Sequence, residues 1–135
     1  MSYNGIAERI KKEEGYSATV YLDSNGNPSG GYGCHLRPGL KLPHHIWLSI
    51  FDFQYRQTID EYESLKLNLD SARKGVIVDM IFHMGFHRFK GFKRMLAALS
   101  VDDYETAAGE LKDSKYFRDF PARAGRNYKM MKDGE

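Results

Sequence analysis

The sequence predicts an α+β fold in which one helix comes first, short strands follow, and helices make up the remainder. Three observations support this prediction. Apolar residues recur one helical turn apart over residues 5–14, apolar and polar residues alternate over 16–22, and helical patterns fill the chain after Asn68. At 135 residues the chain is long enough for one domain that buries its own core.

The first helix is predicted from Ile6 and Ile10, which lie one turn apart, and Gly15 stands where a residue following a helix C-terminus belongs. Residues 16–22 alternate apolar and polar side chains with a period of two. This alternation is typical of a strand with one buried face, so we expect a half-buried strand directly after the helix.

The stretch DSNGNPSGGYG, residues 23–33, has three possible interpretations. A calcium loop needs glycine at its sixth position and a bidentate carboxylate at its twelfth, but these positions hold Pro28 and Cys34. A phosphate-binding loop also fits poorly, because no lysine follows the glycines and strand-like residues precede the next helix. Asn25-Gly26 is a favoured hairpin pair, so we interpret the stretch as a tight turn between two short strands.

The second half of the chain is predicted to be helical. Pro43 opens a long helix that extends to about Lys66, and an apolar segment over residues 76–84 indicates a core helix. Ser100 to Asp103 resembles a capping box, and Pro121 begins a short basic final helix. One face of the long helix carries large apolar residues: Trp47, Phe51, Tyr55, Ile59 and Tyr62.

Charge and cysteine content exclude several classes of protein. Twenty basic and eighteen acidic side chains leave a net charge of only +2, which argues against a dedicated nucleic-acid binder. Cys34 is the single cysteine, which rules out an internal disulfide or a multi-cysteine zinc site. Its thiol is either a small buried hydrophobe or an exposed reactive group. The first fifteen residues contain no apolar run, so we expect neither a signal peptide nor a membrane span.

The basic residues are nevertheless distributed unevenly. They concentrate in two clusters, either of which is a solvated helix face or a surface for a polyanion. The first cluster comprises Arg88, Lys90, Lys93 and Arg94, and the second comprises Arg118, Arg123, Arg126, Lys129 and Lys132.

Two other patterns favour structure over function. Asp79, His83 and His87 are spaced by four as metal ligands on one helix face would be, but Gly85 interrupts that helix, so structural histidines are favoured. Phenylalanines interleaved with basic residues over 86–94 have the composition of a nucleobase-stacking surface. We expect these phenylalanines to seat a short helix in the core instead.

Glu14 ends the first helix, and Asp23 lies nine residues later at the end of the first strand. Cleavage of a glycosidic bond requires two carboxyl groups in different environments, one protonated and the other ionised. Spacing alone does not distinguish such a pair from two surface acids.

Two groups of motifs favour a catalytic pair over two surface acids. The first comprises Glu14-Gly15, Tyr21-Leu22-Asp23, Gly26, Ser29, Gly31-Tyr32-Gly33 and His35. The second comprises residues 80–85 with Gly91-Phe92, then Ala107-Ala108, Leu111, Ser114, Pro121, Arg123-Ala124 and Arg126. Together they resemble the phage lysozymes, the muramidases of glycoside hydrolase family 24. The resemblance extends from Ile6 to about Arg126, although residues 37–68 match only in kind.

The resemblance implies a lysozyme-like fold, with a small β-hairpin lobe and a larger helical lobe joined by a long helix. On this basis residues 1–135 form a single lysozyme domain. The β lobe would span about residues 16–42 and the connecting helix about 43–66. The helical lobe would contain about residues 67–135 together with the N-terminal helix, 5–14.

The resemblance also implies an activity, namely inverting hydrolysis of the β-1,4 bond between N-acetylmuramic acid and N-acetylglucosamine without metal or cofactor. Glu14 matches the general acid, and Asp23 matches the aspartate that assists attack by water. Ser29 stands where the family usually has threonine, and either hydroxyl can hold the attacking water.

Four further positions match sites of sugar binding in the family. Leu36 and Phe82 match apolar residues that line the cleft, whereas Met95 and Glu110 replace a serine and an asparagine. The family also has histidine directly after glycine-x-glycine, whereas here Cys34 intervenes. One extra residue reverses the direction of later side chains unless a bulge absorbs it.

The expected partner is therefore the glycan strand of peptidoglycan, with no nucleic acid, no stable membrane insertion and a monomeric enzyme. As an endolysin it would be made in the cytoplasm of a phage-infected host, released with a holin or an equivalent, and active on the periplasmic wall. The alternative is a catalytically silent lysozyme fold that binds cell wall or another polyanion.

Overall fold

The computed structural model describes residues 3–135, and within this range the chain forms helices and one small antiparallel sheet. The first half contains α1 (Tyr3–Glu14), β1 (Ser17–Leu22), β2 (Pro28–Gly31), β3 (Cys34–His35) and α2 (His44–Ser64). The second half contains α3 (Ser71–Met84), α4 (Phe86–Phe89), α5 (Lys93–Ser100), α6 (Tyr104–Lys112), α7 (Lys115–Asp119) and α8 (Pro121–Asp133). The predicted order of helix, strands and helices is confirmed.

The described residues divide into two compact units at the boundary between His44 and His45. The first unit contains α1 and the sheet, and the second contains α2 to α8. The family resemblance implied that residues 5–14 belong with the helical half, whereas in the structure α1 shares a unit with the strands and buries none of its side chains. The boundaries of the lysozyme lobes stay a prediction.

The sheet has strand order β1-β2-β3 with both pairs antiparallel, so the predicted hairpin is confirmed. The half-buried first strand is wrong, because β1 is exposed beyond Ser17. The cause lies in β2, whose sequence PSGG offers almost no side chain to cover its neighbour. Across Gly30 only Val20 and Leu36 approach, each 3.7 Å from the position that a Cβ would occupy.

The extra residue Cys34 is accommodated at the turn between β2 and β3. Cys34 pairs with Gly30 and His35 pairs with Ser29, while Gly31 and Gly33 adopt the positive φ angles that close the turn. The irregularity in the ladder lies elsewhere, between Ser17 and Tyr21 of β1. The Cys34 thiol is exposed, which decides between its two interpretations.

The hydrophobic core lies in the second unit, where α3 contributes four buried residues, Val76, Ile77, Met80 and Ile81. Phe89 is fully buried and Phe86 and Phe92 pack against the core, so the phenylalanines of this segment seat α4 as expected. The predicted capping box is corrected in detail. The N-cap of α6 is Asp103, whose carboxylate accepts from the Thr106 N–H at 3.1 Å.

The long helix α2 has 21 residues and a length of about 31 Å. Of its predicted apolar face only Tyr62 is buried, whereas Trp47 and Tyr55 are exposed. Phe51 contacts Phe82 of α3, with ring centroids 5.4 Å apart. Over residues 3–135, no helix combines the length and the apolar character needed to cross a membrane.

Candidate functional site

The position of Glu14 is fixed by the end of α1. Gly15 adopts φ +70° and its N–H donates to the Lys11 carbonyl at 2.9 Å, which ends the helix as the sequence predicted. The last turn of α1 then lies against the turn between β2 and β3. Lys11 Nζ is 5.6 Å from the centre of the Tyr32 ring, and the Tyr16 ring is 5.1 Å from it.

The Glu14 carboxyl group lies directly against Gly33 in the same turn. A Cβ at Gly33 would be 2.6 Å from Glu14 Oε2, closer than any real side chain can stand. Glu14 follows a second glutamate, Glu13, and a general acid is expected to be the more buried of two such neighbours, but both residues are exposed. The reason is local, since the surface that meets the Glu14 carboxyl is a glycine, which has no side chain to cover it.

Asp23 lies at the mouth of the first hairpin, and its carboxylate is held from three sides. Oδ1 accepts hydrogen bonds from the backbone N–H groups of Asn25 and Asn27, each at 2.9 Å. Oδ2 accepts from Arg37 Nη2, also at 2.9 Å. The pKa of Asp23 is lowered, chiefly because the Asn27 N–H stabilises the anion; partial burial opposes this and Arg37 adds to it. Asp23 is therefore ionised at neutral pH.

Ser29 is buried in the sheet, with 2% of its surface exposed. It lies in β2 between Tyr21 of β1 and His35 of β3. Its Oγ has no hydrogen-bond partner among residues 3–135. Buried hydroxyl groups nearly always have a partner, so this one is suited to hold a water molecule.

The four predicted sugar-binding residues are divided between the units. Leu36 belongs to the first unit, and 39% of its surface is exposed. Phe82 in the second unit is exposed to a similar extent, 37%. Met95 is completely buried and Glu110 is half-buried. Both line a surface depression of about 600 Å³ whose rim carries Arg88, Lys93 and Arg94.

No group of three or more histidine, cysteine, aspartate or glutamate side chains is arranged to hold a metal ion in the described part of the chain. Asp79, whose spacing from His83 and His87 resembled that of metal ligands, accepts hydrogen bonds from Arg123 and Asn127. His83 stacks edge-on against Phe120, with ring centroids 4.6 Å apart.

Sequence reasoning missed the role of two residues at this site. Gly33 was recognised as part of a motif, but no pattern indicated that its bare Cα makes room for a carboxyl group. Arg37 carried no signal, because its partner Asp23 lies fourteen residues earlier across two turns. Only the return of the chain through β3 brings these two side chains together.

Comparison with known proteins decides the family. No family model matches the chain. It is 33% identical to "Probable T4-type lysozyme 1" of Dictyostelium discoideum, in an alignment that covers 97% of this chain and 95% of the relative. The chain belongs to the T4-type lysozyme family. "Probable T4-type lysozyme 2" of the same organism is 25% identical, and its alignment also covers 97% of this chain and 95% of the relative. The helix-rich fold with its small three-stranded sheet is compatible with a lysozyme-like α+β architecture.

In this T4-type lysozyme relative, the first unit presents two carboxyl groups with different surroundings. Asp23 accepts three hydrogen bonds that favour its anion, whereas the Glu14 carboxyl lies against Gly33 and accepts no side-chain hydrogen bond within residues 3–135. Such an asymmetric pair is suited to acid–base chemistry, with Asp23 as the ionised partner.

Proposed function

We propose that this protein is a peptidoglycan hydrolase of glycoside hydrolase family 24. Its substrate would be the β-1,4 bond between N-acetylmuramic acid and N-acetylglucosamine, cleaved with inversion. The observation that carries the proposal is the hairpin itself. It holds Asp23 as an anion and leaves room at Gly33 for the Glu14 carboxyl. It also buries the Ser29 hydroxyl, which has no hydrogen-bond partner within residues 3–135.

In the proposed reaction Glu14 donates its proton to the glycosidic oxygen as the bond from that oxygen to the anomeric carbon breaks. A water molecule, oriented by Ser29, forms the new bond at the opposite face of the sugar and gives a proton to Asp23. The protons on Asp23 and Glu14 are then re-equilibrated with solvent. Because Glu14 is exposed in the free protein, the bound glycan would have to exclude water from the Glu14 carboxyl during this proton transfer.

The test is digestion of purified peptidoglycan, followed by borohydride reduction of the new ends. A muramidase yields muramitol, and a glucosaminidase yields glucosaminitol instead. Proton NMR of a soluble oligosaccharide digest then reports the anomer that forms first, and inversion requires the α anomer. Glucosaminitol or a first-formed β anomer would contradict the proposal.

The competing function, a silent lysozyme fold that binds wall or another polyanion, is favoured by one observation. Arg88, Lys93 and Arg94 form no ion pair within residues 3–135 and surround an open depression. Binding of sacculi without release of any reducing end would support this function and exclude the enzyme.

We further propose the endolysin setting, with synthesis in a host cytoplasm, holin-assisted release and action on the periplasmic wall as a monomer. Its basis is the resemblance of the motifs to phage enzymes, whereas both reported relatives come from Dictyostelium discoideum. Lysis of bacteria that co-express a holin, but not of bacteria that express the protein alone, would support this setting.

A further inference from the structure

The carboxylate of Asp23 uses its oxygen atoms unequally. Oδ1 accepts two backbone N–H groups, those of Asn25 and Asn27, and Oδ2 accepts one N–H from Arg37. An ionised carboxylate offers about four lone-pair sites, two on each oxygen. Donors within residues 3–135 therefore occupy three of these sites. The remaining site is on Oδ2, the oxygen that Arg37 holds.

We infer that Arg37 is a positioning residue for the proposed reaction, because it fixes the one oxygen of Asp23 that can accept a proton from the attacking water. The inference rests on the proposed function, in which Asp23 activates that water. With hydrogen bonds at Oδ1 alone, the Asp23 side chain keeps some freedom to rotate about its Cα–Cβ and Cβ–Cγ bonds. The hydrogen bond from Arg37 to Oδ2 restricts this rotation and so fixes the direction of the free lone pair.

The chemistry of arginine suits this role. Its guanidinium is rigid, planar and always charged, so it can hold Oδ2 at a defined angle without taking part in proton transfer. The Arg37 side chain is 42% exposed and makes its ion pair within the same unit as Asp23. Arg37 lies two residues after β3, whereas the donors to Oδ1 lie in the turn between β1 and β2. The two oxygens are thus held by different segments of the chain.

Removal of the guanidinium should have two separate effects. Loss of a fixed geometry should lower kcat by about tenfold while KM changes by less than about twofold, because no substrate contact is removed. Loss of the positive charge should raise the pKa of Asp23, since Arg37 is one of the groups that lower it. Activity requires ionised Asp23, so the acid limb of the kcat–pH profile should move to higher pH.

The experiment compares Arg37→Met and Arg37→Lys with the control Arg9→Met, which removes an exposed arginine from α1 of the same unit. Circular dichroism and Tm establish that each variant folds. Kinetics on soluble glycan oligomers give kcat, KM and the pH profile. Carbon-13 NMR of labelled protein, with the Asp23 signal assigned by Asp23→Asn, gives the pKa of Asp23 without relying on activity.

The inference is supported if Arg37→Met lowers kcat, raises the pKa of Asp23 and moves the acid limb, while Arg37→Lys restores the limb and part of kcat. It is overturned if the kinetics of Arg37→Met equal those of Arg9→Met, if only KM rises, or if kcat increases. It is also overturned if kcat falls while the acid limb of the pH profile and the NMR titration of Asp23 stay unchanged. An inactive wild type, or an active Asp23→Asn variant, would refute the proposed function itself. In that case the NMR titration reports only a surface ion pair, and the catalytic role of Arg37 falls with the proposed function.

Discussion

At the scale of single residues, α1 ends in two adjacent glutamates, and only the contacts of Glu14 distinguish it from Glu13. Both can share one helix face, and both are exposed. The carboxyl of Glu14 alone meets the turn at Gly33. Glu14→Gln removes the proton donor while preserving size, so we expect turnover on peptidoglycan to fall by at least about a thousandfold.

Glu13→Gln is the matched control and should stay within about threefold of wild type. Neither substitution removes a described hydrogen bond or a buried contact, so both variants should unfold at the wild-type temperature. Circular dichroism melts and reducing-end assays on the same peptidoglycan measure the two quantities. Our placement of the acid is wrong if Glu13→Gln is the inactive variant or if both variants are fully active.

Removal of the Ser29 hydroxyl should lower activity without lowering stability. Its buried Oγ has no partner among the described residues, so Ser29→Ala breaks no intramolecular hydrogen bond and should leave Tm nearly unchanged. If the hydroxyl orients the attacking water, turnover should nevertheless fall by about tenfold to a thousandfold. Ser29→Thr keeps the hydroxyl and should retain much of the activity. Unchanged turnover in Ser29→Ala would mean that another group holds the water.

At the scale of elements, the turn between β2 and β3 is constrained by a glycine for two separate reasons. Gly33 has φ +68°, which disfavours any side chain, and a Cβ there would collide with the Glu14 carboxyl. Gly39 in the following loop has φ +95° but open space around it. Gly39→Ala therefore carries the backbone cost alone, whereas Gly33→Ala carries the backbone cost and displaces the acid.

We expect Gly33→Ala to lower kcat by at least about tenfold, because displacement of a catalytic group by about an ångström has that effect or more. Gly39→Ala should lose stability of similar size, about 1 kcal/mol, with kcat close to wild type. Thermal melts and peptidoglycan kinetics on both variants give the comparison. Equal kcat in the two variants would show that the close approach of Glu14 to the turn has no role in catalysis.

Helices α3 and α8 are joined by an ion pair that should make stability depend on pH. Asp79 accepts from Arg123 at 2.6 and 3.1 Å and from Asn127 at 2.8 Å. Burial raises the pKa of Asp79, but the bonds from Arg123 and Asn127 outweigh it, so the pKa lies below its ordinary value of 3.8. A depressed pKa contributes stability that is present above the ordinary value and is lost as pH falls through the folded value.

Asp79→Asn should therefore lower Tm at pH 7, by a few degrees if the exposed pair is worth about 1 kcal/mol. As pH falls from about 4 toward the folded pKa, wild type should lose the contribution of Asp79 and the two melting temperatures should converge. Calorimetry over pH 2 to 7 measures the difference. A Tm difference that is constant across this range would contradict the assignment of a depressed pKa to Asp79.

Elements that depend on local signals were predicted well from the sequence. Gly15 ends α1, Asn25-Gly26 lies in the first hairpin turn and Pro121 begins α8, because each of these signals acts through its own backbone. Burial could not be predicted in the same way, since it depends on the neighbour. The alternation over 16–22 indicated a strand correctly but a buried face wrongly, because β2 consists of Pro, Ser and two Gly residues.

The same distinction applies to the candidate site. Glu14, Asp23 and Ser29 could be named from a motif, because motif positions are read along the chain. Arg37 could not be named, because its contact with Asp23 arises only after β3 returns the chain to the first turn. The exposure of Glu14 was also missed, since no sequence pattern reports what faces a carboxyl group.

At the scale of the whole molecule, a net charge of +2 conceals a strongly uneven distribution. In the first basic cluster, Arg88, Lys93 and Arg94 are exposed and form no ion pair within residues 3–135. In the second cluster Arg123 is already bound to Asp79. The other four bases of the second cluster form no ion pair within residues 3–135 either, so each cluster keeps four unpaired bases. We single out the first cluster because three of its bases line the depression of about 600 Å³, and its attraction should act over about 8–10 Å at physiological salt.

We expect lysis of whole sacculi to fall steeply with added salt, because screening weakens attraction to the anionic wall. The rate of cleavage of a small neutral oligosaccharide should not change with salt, because this substrate carries no charge that the basic cluster could attract. The triple variant Arg88→Gln, Lys93→Gln, Arg94→Gln should show a clearly smaller salt dependence on sacculi than wild type. A triple variant of equal charge, Arg9→Gln, Lys41→Gln, Arg56→Gln, replaces three exposed bases outside both clusters and should keep it. Initial rates between about 20 and 300 mM salt measure the slopes, a range over which the screening length shortens severalfold. Equal slopes for both triple variants, or for both substrates, would leave the first cluster as a solvated face with no part in wall binding.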